Sequence, residues 1–278
     1  MAHPLGEAVL LVPDRDAARP ADLAELEASL RERDVAFRRA PASRAAAEVA
    51  DGARFVVHCG GQRSLVAWLP AAVGTDVVVG VFPGGVPNDF ARTFGLDRHG
   101  EAAAILLASD RVMRVDVGVC TIGDRETYVF NNAVVGLGAG RSGRGPGALL
   151  GWYRDVLLHR RTAYDVDMTF AEYHARATQV RLANGQWALD GLHAAPQALP
   201  DDGAWDVQVW SGPRTLPFAL QPKMVRGEHL PHQHVTQWRQ KRAEVSASPP
   251  ARVAVDDVVV GRTPATFEIR PKALRLKI

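Results

Sequence analysis

The sequence predicts an α/β first half followed by a β-rich second half, and three patterns carry that expectation. Over the first 115 residues, short apolar runs such as Ala8 to Val12, Arg54 to His58 and Val77-Val78-Val79 alternate with segments of helical period. Such alternation predicts a parallel, doubly wound sheet. Beyond residue 118, apolar and polar side chains alternate in short segments separated by Asn184-Gly185, Asp201-Asp202-Gly203 and Ser211-Gly212-Pro213. That is the texture of an antiparallel sandwich or barrel. The composition, 47% hydrophobic and 23% charged over 278 residues, is that of a globular protein with room for one large domain or two ordinary ones. The expected division is 1–118 and 119–278, with the option that the last strands pack back on the first lobe.

Taken in order, Ala8 to Val12 reads as a buried strand. Asp22 to Arg33 follows as an amphipathic helix with Leu23, Leu26 and Leu30 on one face. A short strand at Val35 to Phe37, a weak helix at Ser43 to Val49 and a buried strand at Arg54 to His58 come next. The loop Cys59-Gly60-Gly61-Gln62-Arg63-Ser64 leads into a helix at Leu65 to Ala72. Glu101 to Ala108 reads as a helix and Arg111 to Val119 as a strand. A hairpin is expected about Thr121 to Glu126, and a helix at Ala148 to Leu158. The later strands are placed at 177–182, 205–210, 242–245, 251–255, 266–269 and 274–278.

Several functions are disfavoured at once. Lys and Arg number 33 against 31 Asp and Glu, a balance that argues against a nucleic-acid partner. The two cysteines, Cys59 and Cys120, lack any CxxC or Cys/His spacing, so neither a disulfide framework nor structural zinc is expected. The N-terminus lacks the pattern of a signal peptide, and no apolar run approaches a membrane span. The expectation is a cytoplasmic protein that meets a membrane, if at all, from outside.

The stretch Gly80 to Leu96, GVFPGGVPNDFARTFGL, is the most informative. It runs from a buried strand through a glycine turn into a helix whose start is marked by Asn88-Asp89, because an Asn or Asp oxygen accepts bonds from the first free amides. A glycine turn feeding a helix start is also a seat for an anion.

Pro83 to Arg92 (PGGVPNDFAR), the segment Pro200 to Val207 (PDDGAWDV) and the tail Thr266 to Arg275 (TFEIRPKALR) occur in one order with Gly60-Gly61 and a D-x-G at Asp116. Together they resemble the diacylglycerol kinase-like lipid kinases over almost the whole chain. The resemblance implies a Rossmann-like N-terminal lobe that binds ATP and a β-sandwich-like C-terminal lobe. It further implies phosphoryl transfer from ATP and Mg²⁺ to a lipid or small-molecule hydroxyl, with the site residues Gly60, Gly61, Gln62, Arg63, Ser64, Gly84, Gly85, Asn88 and Asp89 around the nucleotide. Asp201 and Asp202, with Asp206, are implied Mg²⁺ ligands, although an Asp-rich β-turn explains them equally. Peripheral membrane contact and a homodimer are further expectations.

The departures from the family pattern are as telling. The family's G-G-D-G-T becomes Gly60-Gly61-Gln62-Arg63-Ser64. Gln62 brings no charge for a metal, and Arg63 would be strained if its position needed a positive φ. A direct Arg63–phosphate contact and simple loop decay are both open. Val86 loses a hydroxyl and Pro87 loses a donor. The family's base, a Glu in a D-G-E turn, falls at Asp256-Asp257-Val258, where valine cannot take a proton. Asp257 is the neighbouring carboxylate and hence the candidate base, while a solvated Asp256-Asp257 turn is the plainer expectation.

Weaker signals remain. Gly138 to Gly143 formally matches a dinucleotide fingerprint but lies in the β-rich half. Arg141 and Arg144, with His159-Arg160-Arg161, could instead meet anionic lipid heads. His229, His232 and His234 suggest either a metal site or a solvated loop. Trp238 to Arg242 suggests a membrane interface or an exposed edge. Two functions therefore stand side by side: an ATP-dependent lipid kinase, or a pseudokinase that binds lipid or nucleotide without transferring phosphate. A third, a cleft turned to a non-lipid substrate, also fits.

Overall fold

Apolar strands bounded by glycine, proline and aspartate organise residues 1–115, and the computed structural model describes residues 4–278 apart from 16, 85–87, 98, 141–145, 159–160 and 190. By internal contacts the chain forms two units, 1–115 with 272–278, and 116–271.

In the first unit the chain runs β1 (Ala8–Val12), α1 (Pro20–Arg31), β2 (Phe37–Pro41), α2 (Ala45–Ala50), β3 (Phe55–Gly60), α3 (Gln62–Trp68), β4 (Val78–Pro83), α4 (Asp89–Thr93) and α5 (Gly100–Ala108). β5 (Val112–Ile122) leads out of it. The strands pair in parallel in the order β2-β1-β3-β4, and the end of a last strand adds to β4, with Arg275 beside Val78. Both alternating sets of strand side chains are buried, Ala8 and Leu10 as well as Val9 and Leu11, as expected of a parallel sheet covered on both faces. On one face Leu23, Leu26 and Leu30 of α1 and Ala103, Ala104 and Leu107 of α5 pack on Leu10, Phe55, Val57 and Val78.

Boundaries differ from expectation where backbone chemistry decides. α1 starts two residues early, at Pro20, because proline at the first helical turn gives up no needed donor. β3 continues through Cys59 and Gly60, and α3 starts at Gln62 rather than Leu65. It ends at Trp68, where Leu69–Ala72 tightens to a 3₁₀ turn around Pro70, which has no N–H to continue the α ladder.

The second unit holds β6 (Arg125–Val129), β7 (Asn132–Gly136), α6 (Pro146–Leu158), β8 (Thr162–Met168), β9 (Ala171–Ala177) and β10 (Gln179–Ala183). Then come β11 (Trp187–Ala188), β12 (Leu192–His193), β13 (Trp205–Trp210), α7 (Leu216–Met224), β14 (Val235–Gln240) and β15 (Arg242–Ser248). The chain closes with β16 (Arg252–Val255), β17 (Val258–Arg262) and β18 (Ala265–Lys277), whose end is the strand beside β4. One antiparallel sheet has the order β14-β13-β10-β7-β16-β17. Facing it are the antiparallel pairs β5-β6, β18-β15, β15-β8 and β8-β9. Val135, Val180, Leu182, Val207 and Val253 from the first sheet meet Tyr164, Val166, Ala243, Val245 and Phe267 in one core. This is a β-sandwich-like unit. The hairpin β8-β9 and helix α7 go beyond the sequence expectation.

Gly80 is required where α5 crosses β4: a Cβ there would stand 2.6 Å from Leu107 Cδ2 and 3.2 Å from Val57 Cγ2. Gly80→Ala is expected to lower stability by roughly 1–3 kcal/mol through overpacking, read as a denaturant midpoint shift, and the same substitution should cost less when made in a Leu107→Ala background.

Candidate functional site

The expected nucleotide seat is built on the end of β3. Its apolar run stops at Gly60, whose carbonyl accepts from Gly84 N–H at 3.0 Å. Gly61 then caps α3 with φ −78° and ψ 169°, an extended conformation open to any residue. Gln62 and Arg63 are the first two helical residues, so the strain foreseen for Arg63 does not arise. Its side chain is exposed.

Gln62 is committed elsewhere. Its Oε1 accepts from Phe90 N–H at 3.0 Å, while Asn88 Oδ1 accepts from Ala91 N–H at 2.9 Å. Two of the free amides at the start of α4 are thereby satisfied, one by the expected N-cap and one by a residue 28 positions earlier. Asp89 is buried in the first turn of that helix, where the helix dipole favours a negative charge. Asn88 Nδ2 is buried and finds no partner among the described residues. Gly85, Val86 and Pro87 lie outside the described residues.

Ser64 joins a network with no sequence forewarning. Its Oγ lies 3.0 Å from His58 Nε2 and donates to Gly61 O at 3.1 Å, while Trp68 Nε1 donates to His58 Nδ1 at 3.2 Å. Because the indole can only donate, Nδ1 must be the acceptor, which puts the proton of the neutral ring on Nε2. Facing Ser64 with a proton, His58 cannot serve as its base, and a Ser–His nucleophile is excluded. The three side chains fasten α3 to β3 instead.

In the second unit, Asp256 and Asp257 make the two-residue turn between β16 and β17 with φ of 44° and 69°, the left-handed pair that tight hairpins demand. The turn forms as expected, but Asp256 is not solvated. It is buried, and its carboxylate accepts from Phe130, Asn131 and Asn132 N–H at 2.8, 2.9 and 3.0 Å. Burial pushes this carboxyl up to about 6, and the three donors pull against that by favouring the charged form. Val258, in the expected base position, is 50% exposed. Asp257 is half-buried beside it.

Asp116, which opens the D-x-G motif, holds a turn in place. Its Oδ2 accepts from Gly203 N–H at 2.6 Å, pinning the segment that carries Asp201 and Asp202. Asp202 pairs with Arg239 and accepts from Ala204 N–H at 3.0 Å. Asp206 is buried on β13 with Oδ2 unpartnered among the described residues, and burial pushes its carboxyl up to about 6. Among the described residues no three His, Cys, Asp or Glu side chains gather as a metal site would require. The donor set at Gly60–Ser64 therefore suits an anion, through amides and the Arg63 cation, and does not suit Mg²⁺.

The remaining signals separate. Gly138 and Gly140 sit in a turn with positive φ, and Arg141 to Gly143, Arg144, His159 and Arg160 lie outside the described residues. His229 is buried against Trp210 with Nε2 3.2 Å from Ala194 O, correcting the solvated-loop alternative for that residue. His232 Nδ1 accepts from His234 N–H at 3.1 Å. Trp238 lies on β14, at the edge of its sheet, and packs on Tyr173 at 4.7 Å.

Comparison with known proteins decides the family. The sequence model of the diacylglycerol kinase catalytic domain matches residues 16–120, and that of the YegS C-terminal NAD kinase beta sandwich-like domain matches 149–278. This chain belongs to the diacylglycerol kinase-like lipid kinases. Among curated relatives of this lipid kinase-like chain, a diacylglycerol kinase of Mycobacterium tuberculosis is 26% identical, over 83% of this chain and 79% of its own. A probable lipid kinase YegS-like of Cronobacter sakazakii is also 26% identical, over 71% and 70%. The crystal structure of a putative diacylglycerol kinase from Bacillus anthracis shares the fold, with a TM-score of 0.77 at 19% identity, covering 97% of this chain and 94% of that one.

Two outcomes test this site. Asp256→Ala, which strands three buried N–H groups and strains the turn, should cost about 3 kcal/mol, and Asp256→Asn, which keeps an acceptor and tolerates positive φ, clearly less; urea melts separate them. Asp206 has a folded-state pKa raised above its unfolded value, so the folded state binds its proton more tightly and loses stability as pH rises from about 4 to about 6. Asp206→Asn should therefore stabilise the protein relative to wild type at pH 8 and lose that advantage at pH 4.

Proposed function

We propose that this lipid kinase-like protein is a pseudokinase: it binds a lipid or a nucleotide phosphate and does not transfer phosphate by a metal-and-base route. The observation that carries the reading is the pair Asp256 and Val258. The one carboxylate fixed in the hairpin is spent on three backbone N–H groups, and the position where the family resemblance implies a base is an exposed valine. Phosphoryl transfer needs positioned cations around the phosphates and a group that takes or orients the nucleophile's proton. Gln62, engaged by Phe90 N–H, supplies no charge for a cation. ATP, where it binds, would meet the amides and Arg63 at the β3–α3 junction and would supply a transferable phosphoryl group there. A lipid ligand and a membrane-surface location belong to the same proposal.

One feature favours a second reading, a slow lipid kinase. Asp257 keeps a half-buried carboxylate one residue from the base position. Mg-ATP calorimetry and labelled phosphate transfer to a lipid extract distinguish the two. The pseudokinase reading expects transfer at the protein-free background by the wild type and at least ~100-fold above that background in the triple variant Gln62→Asp, Arg63→Gly, Val258→Glu, the scale of a restored general base. Wild-type transfer that disappears in Asp257→Asn would overturn it.

A further inference from the structure

In the second unit the sheet that ends at β9 is open. Strand β9 pairs with β8 over its whole length, from Thr162 beside Ala177 to Met168 beside Ala171, and no described strand lies on its other side. It is regular and holds none of the prolines, glycines or bulges that keep an edge from pairing. Two other sheet ends do: β2 closes on Pro41, and β17 carries Gly261 beside a shift of register.

The charges of β9 are arranged two-fold. Glu172, His174 and Arg176 are exposed on one face and evenly spaced about His174. On that face Glu172 stands opposite Asp167 of β8, and like charges so placed repel. Arg176 could offset them, but it stands opposite Ala163 and among the described residues reaches only Arg161 O, at 3.3 Å. Four residues along one strand, roughly 13 Å, separate it from Glu172. A second β9 laid antiparallel about His174 sets Arg176 of each copy directly opposite Glu172 of the other. The two imidazoles that meet on the axis bring their own counter-charges, since His174 Nδ1 lies 2.6 Å from Asp165 Oδ1.

The other face of β9 carries Ala171, Tyr173 and Ala175, half-buried against the sandwich core. Tyr173 meets Trp238 of β14, the edge of the facing sheet, at 4.7 Å, and both rings are half-buried. The core is uncovered at this end, and a copy joined along β9 continues it.

From this arrangement we infer that β9 is a homodimerisation edge. Two copies pair β9 to β9 antiparallel about His174, with reciprocal Glu172–Arg176 ion pairs. The same patch serves both copies, so the contact closes at two. A second copy is favoured over a foreign strand because the charge order complements itself. The inference goes beyond the proposed function and uses only residues of the second unit.

Sedimentation equilibrium of the full-length chain at low salt, over micromolar concentrations, tests it. A reversible monomer–dimer equilibrium is expected of the wild type. Glu172→Arg sets arginine against arginine, and Arg176→Glu sets glutamate against glutamate. Each should raise the dimer Kd about tenfold or more, because two ion pairs turn repulsive at once. The double variant Glu172→Arg, Arg176→Glu reverses both pairs and should return the Kd to within about threefold of wild type. Both positions are exposed, so all three variants should keep the wild-type circular dichroism spectrum. A monomeric wild type would leave the edge to a foreign strand and overturn the homodimer. A dimer indifferent to the single reversals, or a double variant that stays dissociated, would overturn the β9 pairing.

Discussion

Every buried backbone N–H must find an acceptor, and in this protein that single constraint fixes what the polar side chains at the expected kinase positions can do. Where a strand ends or a helix begins, the regular ladder runs out of carbonyls. Gln62 and Asn88 fill that gap at the start of α4, Asp116 at the Gly203 turn, and Asp256 at the start of β7. Each oxygen so used is aimed at the backbone at hydrogen-bond distance. An oxygen held this way is a poor candidate for a cation or a substrate proton, because releasing it exposes a buried donor.

The same economy orders the junction of β3 and α3. His58, Ser64 and Trp68 close a chain of bonds in which the imidazole presents its proton to the serine. Arg63, on the first turn of α3, is the one charged group of the Gly60–Ser64 segment and faces solvent. The Gly60–Ser64 segment offers amides and a guanidinium to an anion and carries no carboxylate of its own. The Rossmann-like unit and the sandwich-like unit each keep an apolar core of their own.

Much of the architecture was legible because it rests on periodicity. The buried parallel strands, the stripe Leu23, Leu26 and Leu30, and the Asn88 cap all follow from spacing and residue type alone, and the family order of motifs survives substitution at Gln62, Arg63 and Val258. What escaped depends on contacts distant in sequence. Nothing local in His58 announces Trp68 and Ser64 as partners, and nothing in Asp256 announces the amides of Phe130 to Asn132. The hairpin β8-β9 alternates polar and apolar residues, but charged side chains on its open face blur the strand signal. Helix α7 carries prolines at 217 and 222, which argue against a helix that tertiary packing of Leu216, Leu220 and Met224 nevertheless holds.

The central claim is that the oxygens of Gln62 and Asp256 belong to the backbone and stay there. Amide hydrogen exchange at Phe90 and Asn131, followed with and without saturating Mg-ATP, tests it most directly. Protection of both amides that does not change on adding Mg-ATP is the expected result. Loss of protection at either amide, as its acceptor turns to a metal or nucleotide, would contradict it.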